Sequence, residues 1–203
     1  MKNQIEFIKT SVVDVAYYAV SLSLVLMLVF SSCSSNTKPE DTKEVASEHN
    51  DAKFDNAKAE DDAKFLVSAA EINLEEIQLG QLAQSKGTIA EVKDLGKMME
   101  SEHNKALIDL KAQADKKQIT IPTTITDDGQ QAYKKLDDKM GNEFNKAYCD
   151  MMVAGHKDAI EKFEKASMDA ADPDIKEWAA TMLPALRTHL DNAINCQKKC
   201  EKM

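Results

Sequence analysis

Between Tyr148 and Phe163 the sequence reads YCDMMVAGHKDAIEKF, with Tyr148, Met151, Met152, Gly155, Ala159 and Phe163 at helical spacing. Cys149 and His156 lie seven residues apart, so they share nearly one face of that helix. His189 and Cys196 repeat the spacing in reverse order. Asp172-Pro173, a turn and helix-start signal, sits midway between the two segments. Helices joined by a short turn run antiparallel, and residues equidistant from the turn face each other. His156 is therefore expected level with His189. Cys149 is expected level with Cys196, two helical turns away.

The same periodicity recurs along the chain. A first long helix is expected over about Ala57 to Lys86, with Phe65, Leu66, Ala69, Ile77, Leu79 and Ala83 on one side. Asn73 and Glu76 fall inside that arc, whereas Glu71 and Glu75 fall outside it and read as solvated. Gly87 is a helix stop. A second helix follows to Lys117, with Val92, Leu95, Met99, His103, Leu107 and Leu110 in its stripe. Gln118 to Thr126, with Pro122 and β-branched residues, reads as a loop. Asp127 is placed to cap a short helix ending near Met140. Gly141 breaks it, and Asn142 is placed to cap the helix that carries Cys149 and His156. The last helix runs from Pro173 to about Lys199 and contains Pro184. Four long amphipathic helices and one short crossover helix between the second and third imply an all-α, antiparallel four-helix bundle over residues 57–203.

Residues 1–56 read differently. Lys2 and Lys9 precede the apolar run Val15 to Phe30, and Ser31-Ser32-Cys33 follows it. A charged segment, an apolar segment and small residues before a cysteine form the pattern of a bacterial lipoprotein signal, here residues 1–32. Cys33 would carry the lipid, and the membrane would be reached through that anchor. Phe30 and Asp14 depart from the usual pattern. The alternative, an uncleaved anchor, needs a span of about 20 apolar residues, longer than this run. Residues 33–56 are polar and read as a flexible tether, with His49 in solvent. The net charge of −9 argues against nucleic acid as a partner. Solvated helix faces account for that charge without any cation binding.

Counting from Gly87 pairs Glu71 with His103 and leaves Asn73 close to that level. Glu76 is about five residues nearer the turn, roughly 7 Å along the axis. His103, His156 and His189 are therefore expected to meet in one core layer, with Asn73 or Glu76 approaching from the first helix. A single inward histidine is ordinarily a hydrogen-bonded core residue. Three on separate helices at one level suit a transition metal such as zinc, copper or iron, with a carboxylate as the fourth ligand. In an oxidising compartment Cys149–Cys196 is the first disulfide expected, ahead of Cys149–Cys200. Cys196 and Cys200, at i and i+4 of one helix, are poorly placed to bond to each other. Three buried thiols are the alternative.

The strings Glu76-Ile-Gln-Leu-Gly-Gln-Leu-Ala83, Met98-Met-Glu-Ser-Glu-His103, Phe144-Asn-Lys-Ala-Tyr148 with Met151-Met-Val-Ala-Gly-His156, and Leu183-Pro-Ala-Leu-Arg-Thr-His-Leu190 occur in order. Over about Asp61 to Cys196 the chain resembles a bacterial domain-of-unknown-function family whose members are often labelled predicted outer membrane proteins. The resemblance implies a ferritin-like bundle in exported proteins and lipoproteins, with Glu76, His103, Tyr148, His156 and His189 at the family's characteristic positions. It implies no activity. A di-iron centre would need Glu-x-x-His twice. Here it occurs once, as Glu100-x-x-His103, while Val153 and Leu186 stand three residues before the other two histidines. No nucleophile–base pair, phosphate loop or Cys-x-x-Cys is present. The expected function is a non-catalytic binding or envelope-maintenance role for a lipoprotein in the periplasm or outer membrane, with one metal ion at the histidine layer. A metal-dependent enzyme or carrier, and a purely structural module with an unknown protein partner, stand as alternatives.

Overall fold

The computed structural model describes residues 40–202, and these are built from helices with no strand among them. The signal segment and Cys33 lie outside the described residues. Six helices follow in order: α1 Thr42–Lys53, α2 Ala57–Lys86, α3 Ala90–Lys117, α4 Asp127–Asp137, α5 Gly141–Asp169 and α6 Pro173–Glu201. None of them is long and apolar enough to cross a membrane.

Each boundary has a local cause. Asn56 accepts from the Lys58 amide at 3.0 Å and opens α2. Asp172 accepts from the amides of Asp174 (2.9 Å) and Ile175 (3.2 Å), while Pro173 takes the first helical position of α6. Two expected caps move. Thr126, not Asp127, caps α4, its hydroxyl accepting from the Gly129 amide at 3.2 Å. The start of α5 is set by backbone rather than by a side chain: Gly141 has φ +57°, and Asn142 already lies inside the helix.

Helix α2 packs along α3, and α5 packs along α6. The two hairpins also meet through α2 with α5 and α3 with α6, and α4 rests on α2 and α5. Where α2 crosses α3, Gly80 and Gly96 face each other: a Cβ on Gly80 would stand 2.6 Å from the Gly96 carbonyl oxygen. Asn145 ties α5 to the α2–α3 turn, accepting from the Thr88 amide at 3.1 Å and donating to its hydroxyl at 2.6 Å.

The expected tether is shorter than its polarity implied. Residues 42–53 form α1, which packs on α2. Asn50 is 4 % exposed and makes a reciprocal pair with Thr120, donating to its carbonyl at 2.8 Å and accepting from its amide at 2.9 Å. Glu71, expected in solvent, instead accepts from Lys43 at 2.9 Å and from the Thr126 hydroxyl at 3.1 Å, joining α1 and the start of α4 to α2. His49 is exposed, as expected.

The apolar core divides in two. One part, around Leu66, Leu110, Phe163, Ile175 and Trp178, fills the end near the α5–α6 turn. The other, around Leu79, Met99, Phe144, Tyr148 and Met152, fills the opposite end. On α3, α5 and α6 the residue between the two parts is a histidine.

Candidate metal centre

His103 follows Met99 by one turn of α3, His156 follows Met152 by one turn of α5, and His189 lies between Leu186 and Ala193 on α6. The apolar stripes therefore carry all three imidazoles inward. They are 3 %, 1 % and 6 % exposed. Their ring centroids form a nearly equilateral triangle with sides of 5.6, 5.3 and 5.4 Å. One nitrogen from each ring lies within 4.8 Å of the others.

Hydrogen bonds fix which nitrogens are free. The Asn73 amide nitrogen donates to the Ala69 carbonyl at 2.7 Å, which turns its oxygen toward His103. That oxygen is 3.0 Å from His103 Nδ1, so Nδ1 carries the proton and donates. His156 Nδ1 lies 2.9 Å from the Met152 carbonyl and donates there. The opposite nitrogens, His103 Nε2 and His156 Nε2, are buried without a partner, and so is His189 Nδ1. A donor nitrogen held from behind by an acceptor, with the other nitrogen bare, is the usual arrangement around metal-binding histidines.

Burial holds all three imidazoles below their ordinary range. His103 is lowered well below it, first by burial and then by the two neighbouring rings. His156 is brought down to about 4 by burial, against the opposing effect of its bond to Met152. Burial also lowers His189, with Glu102 acting in the opposite direction. At neutral pH all three are uncharged, the form that binds a metal.

Glu76 is 6 % exposed, and burial, with Glu75 nearby, raises its carboxyl to about 8. Its Oε1 stands 3.7 Å from His156 Nδ1, and its Oε2 has no partner. The side of His156 it approaches is the proton-bearing one. Asn73 likewise touches the proton-bearing side of His103. Both residues therefore reach the layer as expected, but behind the rings, and the clustered ligand atoms are those of the three histidines alone. The physical reason is the fixed ring geometry: an imidazole presents its two nitrogens to different neighbours, and axial level does not decide which. Burial raises the Tyr148 phenol well above its ordinary range, with Glu76 adding to it, and its hydroxyl is also without a partner.

Glu100 turns away from the layer and accepts from Gln81 at 2.8 Å and Gln84 at 2.7 Å. A cleft of about 240 Å³ reaches the layer from outside, lined by Asn73, Glu102, His103, Asp109, Met182 and His189. Glu102 and Asp109 were not singled out in the sequence; the only signal for Glu102 was its position next to His103.

Two turns along, the cysteines form a second buried group. Cys149 Sγ is 2.8 Å from Cys196 Sγ and 3.7 Å from Cys200 Sγ. All three are free thiols, so the pairing level of Cys149 and Cys196 is as expected while a bond between them is not formed.

A helical protein with buried histidine and cysteine layers is the class that fold and site define. The sequence matches the family described as Domain of unknown function (DUF4142) over residues 47–195, and the chain belongs to that family. Comparison with curated proteins and with solved structures gives no match.

Proposed function

We propose that this protein is a metal-binding, ferritin-like four-helix bundle of the cell envelope, holding one zinc- or copper-class ion through His103, His156 and His189. The observation that carries the reading is the convergence of three neutral imidazoles whose inward nitrogens are buried and unpaired. Leaving such groups unmatched is costly, and a metal ion is the partner that three lone pairs at one point accept together. Packing of the α2–α3 hairpin on the α5–α6 hairpin, with α4 as the crossover, supports the bundle topology. Asn73 and the Met152 carbonyl orient two of the ligands, and Glu76 supplies a nearby carboxyl whose charge can follow that of the ion. The role is binding or envelope maintenance rather than catalysis. The cleft at His103 and His189 favours a second reading, a metal-dependent enzyme or carrier using the same ligands.

Lipid attachment at Cys33 rests on the sequence pattern from Lys2 to Cys33. Membrane fractionation of cells carrying the wild-type chain or Cys33→Ser tests it: the variant should leave the membrane fraction and take up no labelled fatty acid. Elemental analysis of the purified chain and titration with zinc and copper test the centre. The wild type should take one ion that the His103→Ala/His156→Ala/His189→Ala variant does not. Equal uptake by both proteins, each shown folded by circular dichroism, removes the metal reading and leaves a structural module.

A further inference from the structure

We propose that Cys149, Cys196 and Cys200 form a separate metal site, a three-coordinate thiolate site for monovalent copper. The three sulfurs come from two helices and meet at one point because Cys196 and Cys200 are one turn apart on α6 and both face Cys149 on α5. Cys149 and Cys200 are fully buried and Cys196 is 4 % exposed. One ion held by three sulfurs in a plane, through bonds of about 2.3 Å, sets the sulfurs about 4 Å apart. The Cys149–Cys200 distance of 3.7 Å already fits, and all three sulfurs lie within 4.8 Å of one another. Only the Cys149–Cys196 edge, at 2.8 Å, must open by ~1 Å, within reach of a small rotation of one side chain.

The donor set selects the ion. Sulfur is a soft ligand that favours monovalent copper. Zinc in structural sites almost always takes four ligands. Among the described residues no histidine, aspartate or glutamate joins this group, so three is the number offered. Copper stays monovalent throughout: three copper–sulfur bonds form, three S–H bonds break, and three protons leave to solvent.

The group is also reachable. A cleft of about 320 Å³ between α3 and α6 opens onto Cys196 and is lined by Glu91, Asp94, Met98, Asn192 and Lys199. Glu91 pairs with Lys199 at 4.0 Å, and Asp94 leaves the mouth with a net negative charge. The Met98 thioether, which accepts from Asn192 Nδ2 at 3.3 Å, is a soft ligand on the way in. The site stands two helical turns, roughly 10 Å, from the histidine layer, so the two can load independently.

The test uses the full chain, reduced and metal-free in the absence of oxygen, titrated with monovalent copper against the chelator bicinchoninate. One copper per chain should bind at the thiolates with a near-ultraviolet thiolate-to-copper charge-transfer band. X-ray absorption on the triple histidine variant should find three sulfur neighbours. The band should persist in the triple histidine variant, which separates this site from the histidine centre. Cys196→Ser and Cys200→Ser should each lose it. A band that survives both substitutions overturns the proposal, as do nitrogen neighbours around copper in the triple histidine variant. A chain isolated with a Cys149–Cys196 disulfide that takes no copper after reduction overturns it as well. The absorption measurement on the triple histidine variant decides the matter even where a cysteine variant does not fold.

Discussion

Glutamate 76 provides a quantitative handle on the histidine layer. In the metal-free chain its carboxyl titrates at about 8, against 4.5 when exposed in the unfolded chain. A raised folded value means that the folded state holds the proton more tightly. The contribution is therefore fully present below pH 4.5 and is lost as pH rises toward 8. At pH 7 the loss comes to about 3 kcal/mol, from two and a half units at 1.36 kcal/mol each. The histidines act with the opposite sign. His156, lowered from 6.5 to about 4, weakens the fold as pH falls below 6.5. Comparison with Glu76→Gln cancels the histidine contribution, and between pH 6.5 and 8 the wild type should lose about 2 kcal/mol relative to that variant. Glu76→Gln, which carries no titrating proton at that position, should keep only the histidine contribution and gain slightly in stability there. Urea unfolding of both metal-free proteins at several pH values measures the difference. Parallel slopes would refute the account of Glu76 as a neutral acid held by burial. A second readout connects it to the metal: zinc binding at pH 7 should release close to one proton from the wild type and almost none from Glu76→Gln. Calorimetry in two buffers of different ionisation enthalpy reads that number.

Asp62 accepts from the amides of Ala171 (3.0 Å) and Asp172 (2.7 Å), joining the first turns of α2 to the α5–α6 connection. Asp62→Ala removes two charge-assisted bonds and should cost about 3 kcal/mol in urea unfolding. Gly80→Ala puts a Cβ 2.6 Å from the Gly96 carbonyl oxygen and 3.0 Å from the Glu100 amide, both backbone atoms. It should cost about 1–3 kcal/mol, whereas an unchanged unfolding midpoint would mean that α2 and α3 do not approach that closely. Asn50→Ala breaks both bonds to Thr120 and should raise hydrogen exchange in α1 while leaving α2, α3, α5 and α6 protected.

What the sequence made legible was whatever a turn can propagate. Distance from Asp172-Pro173 placed His156 level with His189 and Cys149 level with Cys196, because antiparallel helices keep axial register over several turns. The same counting from Gly87 brought Asn73 to His103. Counting fixes height along a helix and not direction around a ring, so Asn73 arrived at the right storey but behind the His103 ring, while Glu76, counted about five residues nearer the turn, stands behind His156. Contacts that no turn predicts stayed hidden. Asp62 looks like one more surface acid, yet its partners lie more than a hundred residues away. Helix α1 is mostly polar, and polarity reads as solvation, but Asn50 and Lys43 dock it through hydrogen bonds and Ala46 is buried. The cysteines show the same limit from another side. Ranking Cys196 against Cys200 as a single partner for Cys149 treats the pairing as exclusive. The i, i+4 spacing that keeps those two from bonding to each other is also what delivers both sulfurs to Cys149, and a shared ion uses all three where a disulfide could use only two.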